Sequence, residues 1–159
     1  MSSAARRRKA ILNFDLTRRK AMEAKVFSSL PSEAAKIRRA VFIEEQGFKE
    51  EFDETDSRAR HLVLYDGEKP VGACRFFAGD TVGDYIIGRL AVIKDYRGRG
   101  AGARLLGEAE SAVRREGGKR VLLHAQISAK GFYEKQGYSA FGEADSEEGC
   151  PHIWMCRRL

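Results

Sequence analysis

Paired-cysteine chemistry is missing from this chain. Its three cysteines, Cys74, Cys150 and Cys156, form no Cys-x-x-Cys pair and leave an odd count, which argues against a disulfide framework and for reduced thiols in a cytoplasmic setting. No metal site is expected from their spacing. No run approaches the ~20 apolar residues of a membrane span, and no apolar stretch near the start is long enough for a secretory signal. There is no Gly-Lys-Ser/Thr ending of a nucleoside-triphosphate loop, and the dinucleotide fingerprint lacks its third glycine. Internal repeats are also absent, and no low-complexity stretch occurs outside the N-terminal arm.

An evenly spread positive charge is lacking as well. The formal net charge is +6, but residues 1–21 hold seven basic side chains against Asp15, and the rest of the chain is balanced, with 22 basic and 22 acidic residues. Segment 1–21 reads as a solvated, disordered basic extension preceding a single domain over 22–159. Its only aromatic is Phe14, so it lacks the aromatic interleaving of a nucleic-acid arm, and neither nucleic acid nor membrane is expected as a partner. With 159 residues, 43% of them hydrophobic, the chain can bury about two-thirds of its unfolded surface in one core.

Glycines are present where they matter. Tyr85-Ile86-Ile87-Gly88-Arg89-Leu90-Ala91-Val92-Ile93 reads as a strand, Arg97-Gly98-Arg99-Gly100-Ala101-Gly102 follows, and a helical pattern opens at Gly102. A strand that breaks into glycines and re-forms as a helix makes an anion cradle. Without Cβ atoms the backbone N–H groups can turn inward, and the first helical turn adds its unpaired amides. Phosphate or pyrophosphate is the natural guest.

The remaining pattern predicts an α/β (α+β) domain. Strands are expected at Glu23–Ser28, His61–Tyr65, Val71–Ala78, Asp84–Ile93, Val121–Gln126, Tyr138–Phe141 and His152–Arg157. Helices are expected from Pro31 to Glu45, from Gly102 to Glu116, and over Ser128–Lys135. Asp66-Gly67-Glu68-Lys69 suits a hairpin turn. The strand, helix and strand from Asp84 to Gln126 form a βαβ crossover. Alternating Ile153 and Met155 suggest that the last strand could pair at an edge, as in a homodimer.

Arg97-x-x-Gly100-x-Gly102 resembles the acyl-CoA pyrophosphate loop of the GCN5-related N-acetyltransferases (GNAT), and Phe132-Tyr133-Glu134-Lys135-Gln136-Gly137-Tyr138 resembles their closing block. Several segments resemble the ElaA-type branch in order and spacing. These are Arg39–Gln46, Glu51–Asp56 with His61-Leu62, Ile87–Val92 and Gly149–Met155. The likeness covers nearly everything from Val26 onward. It implies a mixed, mostly antiparallel sheet with splayed central strands and flanking helices, and acetyl-CoA as the donor. On this reading Arg97, Gly98, Arg99, Gly100, Ala101, Gly102 and Ala103 hold the pyrophosphate. Leu90, Ala91 and Val92 present backbone to the thioester and pantetheine, and Tyr133 sits near the sulfur. Gln126 stands where many members carry Asn.

Acetyl transfer to an amine needs a neutral amine, a polarised carbonyl and a proton for the departing thiolate. Tyr133 can give that proton. Glu44, Glu45, Asp53, Asp56, His61, His124 and His152 can each act as the base, and His152 and Glu45 are selected as candidates. The carboxylates between Glu44 and Asp56 either draw a cationic amine, which could be a small molecule or a lysine side chain, or pair with Arg58 and Arg60. Two other activities fit parts of the pattern. Val41-Phe42 with Glu51–Asp56 also suits an acyl-homoserine-lactone synthase, and the domain could bind acyl-CoA as a non-catalytic sensor.

Overall fold

Seven strands form one sheet in a computed structural model that describes residues 21–159. The basic segment 1–21 lies, except for Ala21, outside the described residues. In chain order the elements begin with β1 (Glu23–Phe27), α1 (Ser32–Arg38), β2 (Arg60–Asp66), β3 (Lys69–Ala78) and β4 (Asp84–Val92). They continue with α2 (Ala101–Arg115), β5 (Arg120–Gln126), α3 (Lys130–Lys135), β6 (Ser139–Glu147) and β7 (Cys150–Arg158). The spatial order is β1-β2-β3-β4-β5-β7-β6, and β4–β5 is its parallel pair.

Period-two alternation along β2 explains the layering. Leu62 and Leu64 face one side and join Phe76, Ile87, Val121 and Met155 under α2, whose Leu105, Leu106, Ala109 and Val113 recur at helical spacing. Val63 faces the other side and packs with Ala73 and Ala91 under Ile37, Val41 and Phe42. Each face of the sheet therefore has its own apolar layer, with α2 covering one and the first helix the other.

At the C-terminal end of α2, Gly117 takes a φ of +87° and Gly118 packs where no side chain fits. A Cβ on Gly118 would strike the Val113 side chain and come within 2.9 Å of Tyr85 Cδ2. Gly118→Ala is expected to cost about 1–3 kcal/mol, seen as a fall in Tm of roughly 3–10 °C.

Three expectations change. The first helix is α-helical only to Arg38 and then widens into π turns over Arg39–Glu45, a change that a 3.6-residue apolar period does not signal. Strand β6 runs on to Glu147 instead of stopping at Phe141, and its register against β7 shifts between Phe141 and Asp145. Nearly all of β6 is exposed, so its polar second half carries no apolar alternation and is held by pairing to β7. Finally, β7 lies between β5 and β6, so Ile153 and Met155 are not at an edge.

One irregularity positions the site. β4 and β5 pair at Asp84–Arg120, Tyr85–Val121 and Ile86–Leu122 and then part. Beyond that point β4 stays with β3 as far as Val92 and β5 stays with β7 as far as Gln126. The register of β4 against β3 shifts between Ala73 and Arg75, opposite Arg89, which sits at a φ of +51°. This bulge bends β4 away from β5.

Candidate active site

The glycine loop ends in a row of free amides. Gly98 and Gly100 adopt φ of +74° and +79°, a conformation that L side chains seldom take. Among the described residues no backbone carbonyl receives the N–H groups from Gly98 to Ala103; the ladder resumes with Arg104 donating to Gly100 O at 3.0 Å. The N-terminal end of α2 adds its partial positive charge, and its first turn carries no acidic side chain. Arg99 lies over the Tyr96 ring at 4.9 Å. Gly102 allows α2 to approach α3, since a Cβ there would sit 3.3 Å from Phe132.

Arg97 braces this loop instead of projecting from it. Its Nε donates to Val92 O at 3.0 Å and its two terminal nitrogens donate to Glu45, each at 2.9 Å. The hydrogen bond from Arg97 holds the Glu45 carboxyl below the usual carboxylate range. Glu45 therefore sits at the phosphate-loop end, charged and occupied, and does not line the cavity that holds Tyr133 and His152.

That cavity, about 400 Å³, fills the gap between β4 and β5. Ile93 donates to Val71 O on β3 at 2.9 Å, so its neighbour Val92 turns its N–H toward the opposite edge, into the gap. Leu90 lines the cavity wall, Ala91 instead packs into the layer under the first helix, and Gln126 lines the far strand while donating to Gln46 Oε1 at 2.7 Å. Tyr133 projects from α3 between Phe132 and Tyr138, with ring centroids at 5.0 and 6.0 Å. Its hydroxyl makes no hydrogen bond among the described residues. Burial, with a smaller contribution from Cys74, pushes the phenol above its ordinary pKa. The Cys74 thiol is itself buried and pushed up to about 12. Both groups stay protonated at neutral pH.

Two histidines meet at the other end of the gap. Gln126 pairs with His152 and His124 with Trp154 across β5–β7, which brings His124 to 4.7 Å from His152 and 4.8 Å from Trp154, ring centre to ring centre. His152 Nδ1 lies 2.7 Å from Cys150 O. A carbonyl only accepts, so Nδ1 carries a hydrogen, and in the neutral ring Nε2 presents the lone pair. His124 Nε2 lies 2.7 Å from the Asp145 carboxylate, and by the same logic Nδ1 is the lone-pair nitrogen of the neutral ring. Asp145 and Glu147 belong to the unforeseen second half of β6.

The acidic segment is neutralised from directions that its sequence does not reveal. Arg38, 1% exposed, donates to Glu51 at 2.8 Å and to Asp56 at 2.7 Å. Arg75 donates to Asp53 at 2.6 Å and to Asp56 at 2.9 Å. Arg89 reaches Glu51 O at 3.2 Å and Asp53 at 3.3 Å. Arg58 instead lies over Phe77 and Arg60 pairs with Glu116. Of the further base candidates, Asp56 is taken up by these guanidiniums, and His61 is buried with Nε2 2.9 Å from Asp56 O. Burial also lowers the pKa of His61. Glu50, Glu51 and Asp53 still reach the cavity wall, beside Arg75, Arg89, Phe48 and Phe77.

A family model described as an acetyltransferase (GNAT) domain matches residues 27–159. The chain is 37% identical over 124 residues to the uncharacterized N-acetyltransferase YjcF of Bacillus subtilis (strain 168), covering 76% of this chain and 87% of that protein. Among solved structures, one from Lactobacillus plantarum superposes with a TM-score of 0.81 at 31% identity, over 88% of this chain and 99% of that one. Escherichia coli ElaA superposes with a TM-score of 0.76 at 27% identity, over 86% and 99%. No helix among the described residues is long and apolar enough to cross a membrane.

Proposed function

Because the chain belongs to the GNAT family of acyl-CoA-dependent acetyltransferases, we propose that it transfers the acetyl group of acetyl-CoA to the primary amine of a small cationic acceptor. The observation that carries this reading is the unpartnered amide row at Gly98–Ala103, which packs at Gly102 against Phe132 of the cavity wall, together with the β4–β5 gap and Tyr133 within it. The amide row suits a pyrophosphate, the gap suits an extended pantetheine, and a protonated phenol suits a departing thiolate.

Each residue then has a distinct task. The Val92 N–H, directed into the gap, stabilises negative charge on the thioester oxygen. His152 Nε2 takes a proton from the amine, and Tyr133 gives one to sulfur. Glu45 acts through Arg97, fixing the loop. Four carboxylates, Glu50, Glu51, Asp53 and Glu147, face two guanidiniums, Arg75 and Arg89, around the cavity. That balance favours a cation, and Phe48, Phe77 and Trp154 offer it aromatic faces. The three cysteines, all unpaired, fit a cytoplasmic enzyme.

Thermal melts with acetyl-CoA, CoA, S-adenosylmethionine and ATP in parallel test the donor, and thiol release with a panel of diamines, amino acids and lysine peptides tests the acceptor. Acetyl-CoA at 100 times its Kd should stabilise the protein by ~2.7 kcal/mol, raising Tm by roughly 5–10 °C. In Gly100→Val, where a side chain must take a φ of +79°, the Kd for acetyl-CoA should rise about tenfold or more. A shift with S-adenosylmethionine instead would support the lactone-synthase reading, and binding without turnover would support a sensor.

A further inference from the structure

Glu147 sets a question that the acetyltransferase reading leaves unanswered. Its Oε2 lies 3.5 Å from His124 Nδ1 and 3.7 Å from His152 Nε2. In the neutral form of each ring these two nitrogens are the lone-pair nitrogens, because the opposite nitrogen is committed as a donor, His124 Nε2 to Asp145 and His152 Nδ1 to Cys150 O. With both rings neutral, three electron-pair donors converge, all within 4.8 Å of one another. An electrophile belongs at their centre.

We propose that His124, His152 and Glu147 bind one divalent transition-metal ion of the zinc class at the acceptor end of the cavity, and that its binding arrests acetyl transfer. Zinc bonds of about 2.0–2.2 Å place tetrahedral ligand atoms about 3.3–3.6 Å apart; the 3.5 Å from Glu147 to His124 falls within that range, and the 3.7 Å to His152 lies just beyond it. The imidazoles, 4.7 Å apart and tilted by 30°, must turn toward Glu147 to share the ion. Two imidazoles and a carboxylate suit zinc better than calcium or magnesium, which prefer all-oxygen shells.

The surroundings are those of a built site. Asp145 backs the imidazole of His124, and the Cys150 carbonyl backs that of His152, the carboxylate-histidine and carbonyl-histidine arrangements that fix ring orientation around a metal. His152 is 6% exposed, whereas His124 at 23% and Glu147 at 42% leave one side open for entry and for water. Arrest follows from competition, since a metal bond occupies the Nε2 lone pair that the amine proton needs. This second half of the proposal rests on the proposed role of His152, whereas metal binding itself does not.

The test is titration of the whole protein, stripped with chelator, with Co²⁺ and then Zn²⁺, read by visible d–d absorption and calorimetry. About one equivalent of Co²⁺ should bind and be displaced by Zn²⁺. His124→Ala and Glu147→Gln, both at partly exposed positions outside the apolar core, should each weaken binding about tenfold or more, and Asp145→Asn about tenfold. Tyr133→Phe should bind Co²⁺ normally even if turnover is lost, which separates this proposal from the acetyltransferase reading. No binding, binding untouched by the His124 and Glu147 substitutions, or binding lost in Cys150→Ser would overturn the site. Full turnover with Zn²⁺ bound would overturn the arrest.

Discussion

Tyr133→Phe is expected to lower kcat by about 10²–10⁴-fold, with the Kd for acetyl-CoA changed by no more than about twofold. The substitution deletes one oxygen and keeps the ring between Phe132 and Tyr138, so packing survives while the proposed proton donor is lost. Burial weakens Tyr133 as an acid by raising its pKa. The same dry surroundings disfavour a thiolate just as strongly, so the two groups remain matched. Because the folded phenol titrates above its ordinary range, kcat should not fall on its account between about pH 8 and pH 10. Thiol release followed with a chromogenic reagent, beside calorimetric CoA binding, checks both halves. A variant that keeps kcat within about threefold would leave Tyr133 a packing residue.

The parts of this site that were legible in the sequence are those fixed by local geometry. Gly98 and Gly100 announce positive φ, the apolar run before them announces a strand, and the pattern after them announces a helix, so the amide row follows from adjacency alone. His152 and Tyr133 were legible only through family resemblance. Contacts made across the sheet were hidden. Nothing near Glu45 in sequence says that Arg97 will meet it, and Arg38, Arg75 and Arg89 come from a helix and two strands to reach one acidic loop. Asp145 and Glu147 were missed because β6, exposed on both faces, lacks the alternation that marks a half-buried strand. Its register against β7, and with it the histidine partners, is set by a shift that no periodicity encodes.

Arg38→Met should be the most damaging single change to stability, at about 3–5 kcal/mol, because it strands two buried carboxylates. Arg38 holds Glu51 and Asp56 at once, and its guanidinium also lies 4.8 Å from the Phe52 ring centre. The two carboxylates respond to burial differently. Burial works to raise Asp56, but hydrogen bonds from Arg38 and Arg75 outweigh it and hold the carboxyl down to about 2. For Glu51 burial prevails over the Arg38 hydrogen bond and the pKa is raised. The signs therefore oppose. Asp56 contributes stability that is present above its unfolded pKa, ~3.9, and lost as pH falls through about 2. Asp53, lowered chiefly by its Arg75 hydrogen bond, acts in the same sense, whereas Glu51 favours the fold more when protonated. Removing Arg38 takes away the main restraint on Asp56, so the Tm deficit of the variant should be largest near pH 7 and shrink toward pH 3. A deficit equal at both pH values would mean that the loss is one of packing and not of charge. Segment 46–56 carries Phe48, Glu50 and Glu51 to the cavity and supplies the carbonyl that holds Arg89. The buried ion network thus shapes this wall of the cavity, the proposed acceptor side, and weakening it should raise the acceptor KM before it lowers kcat.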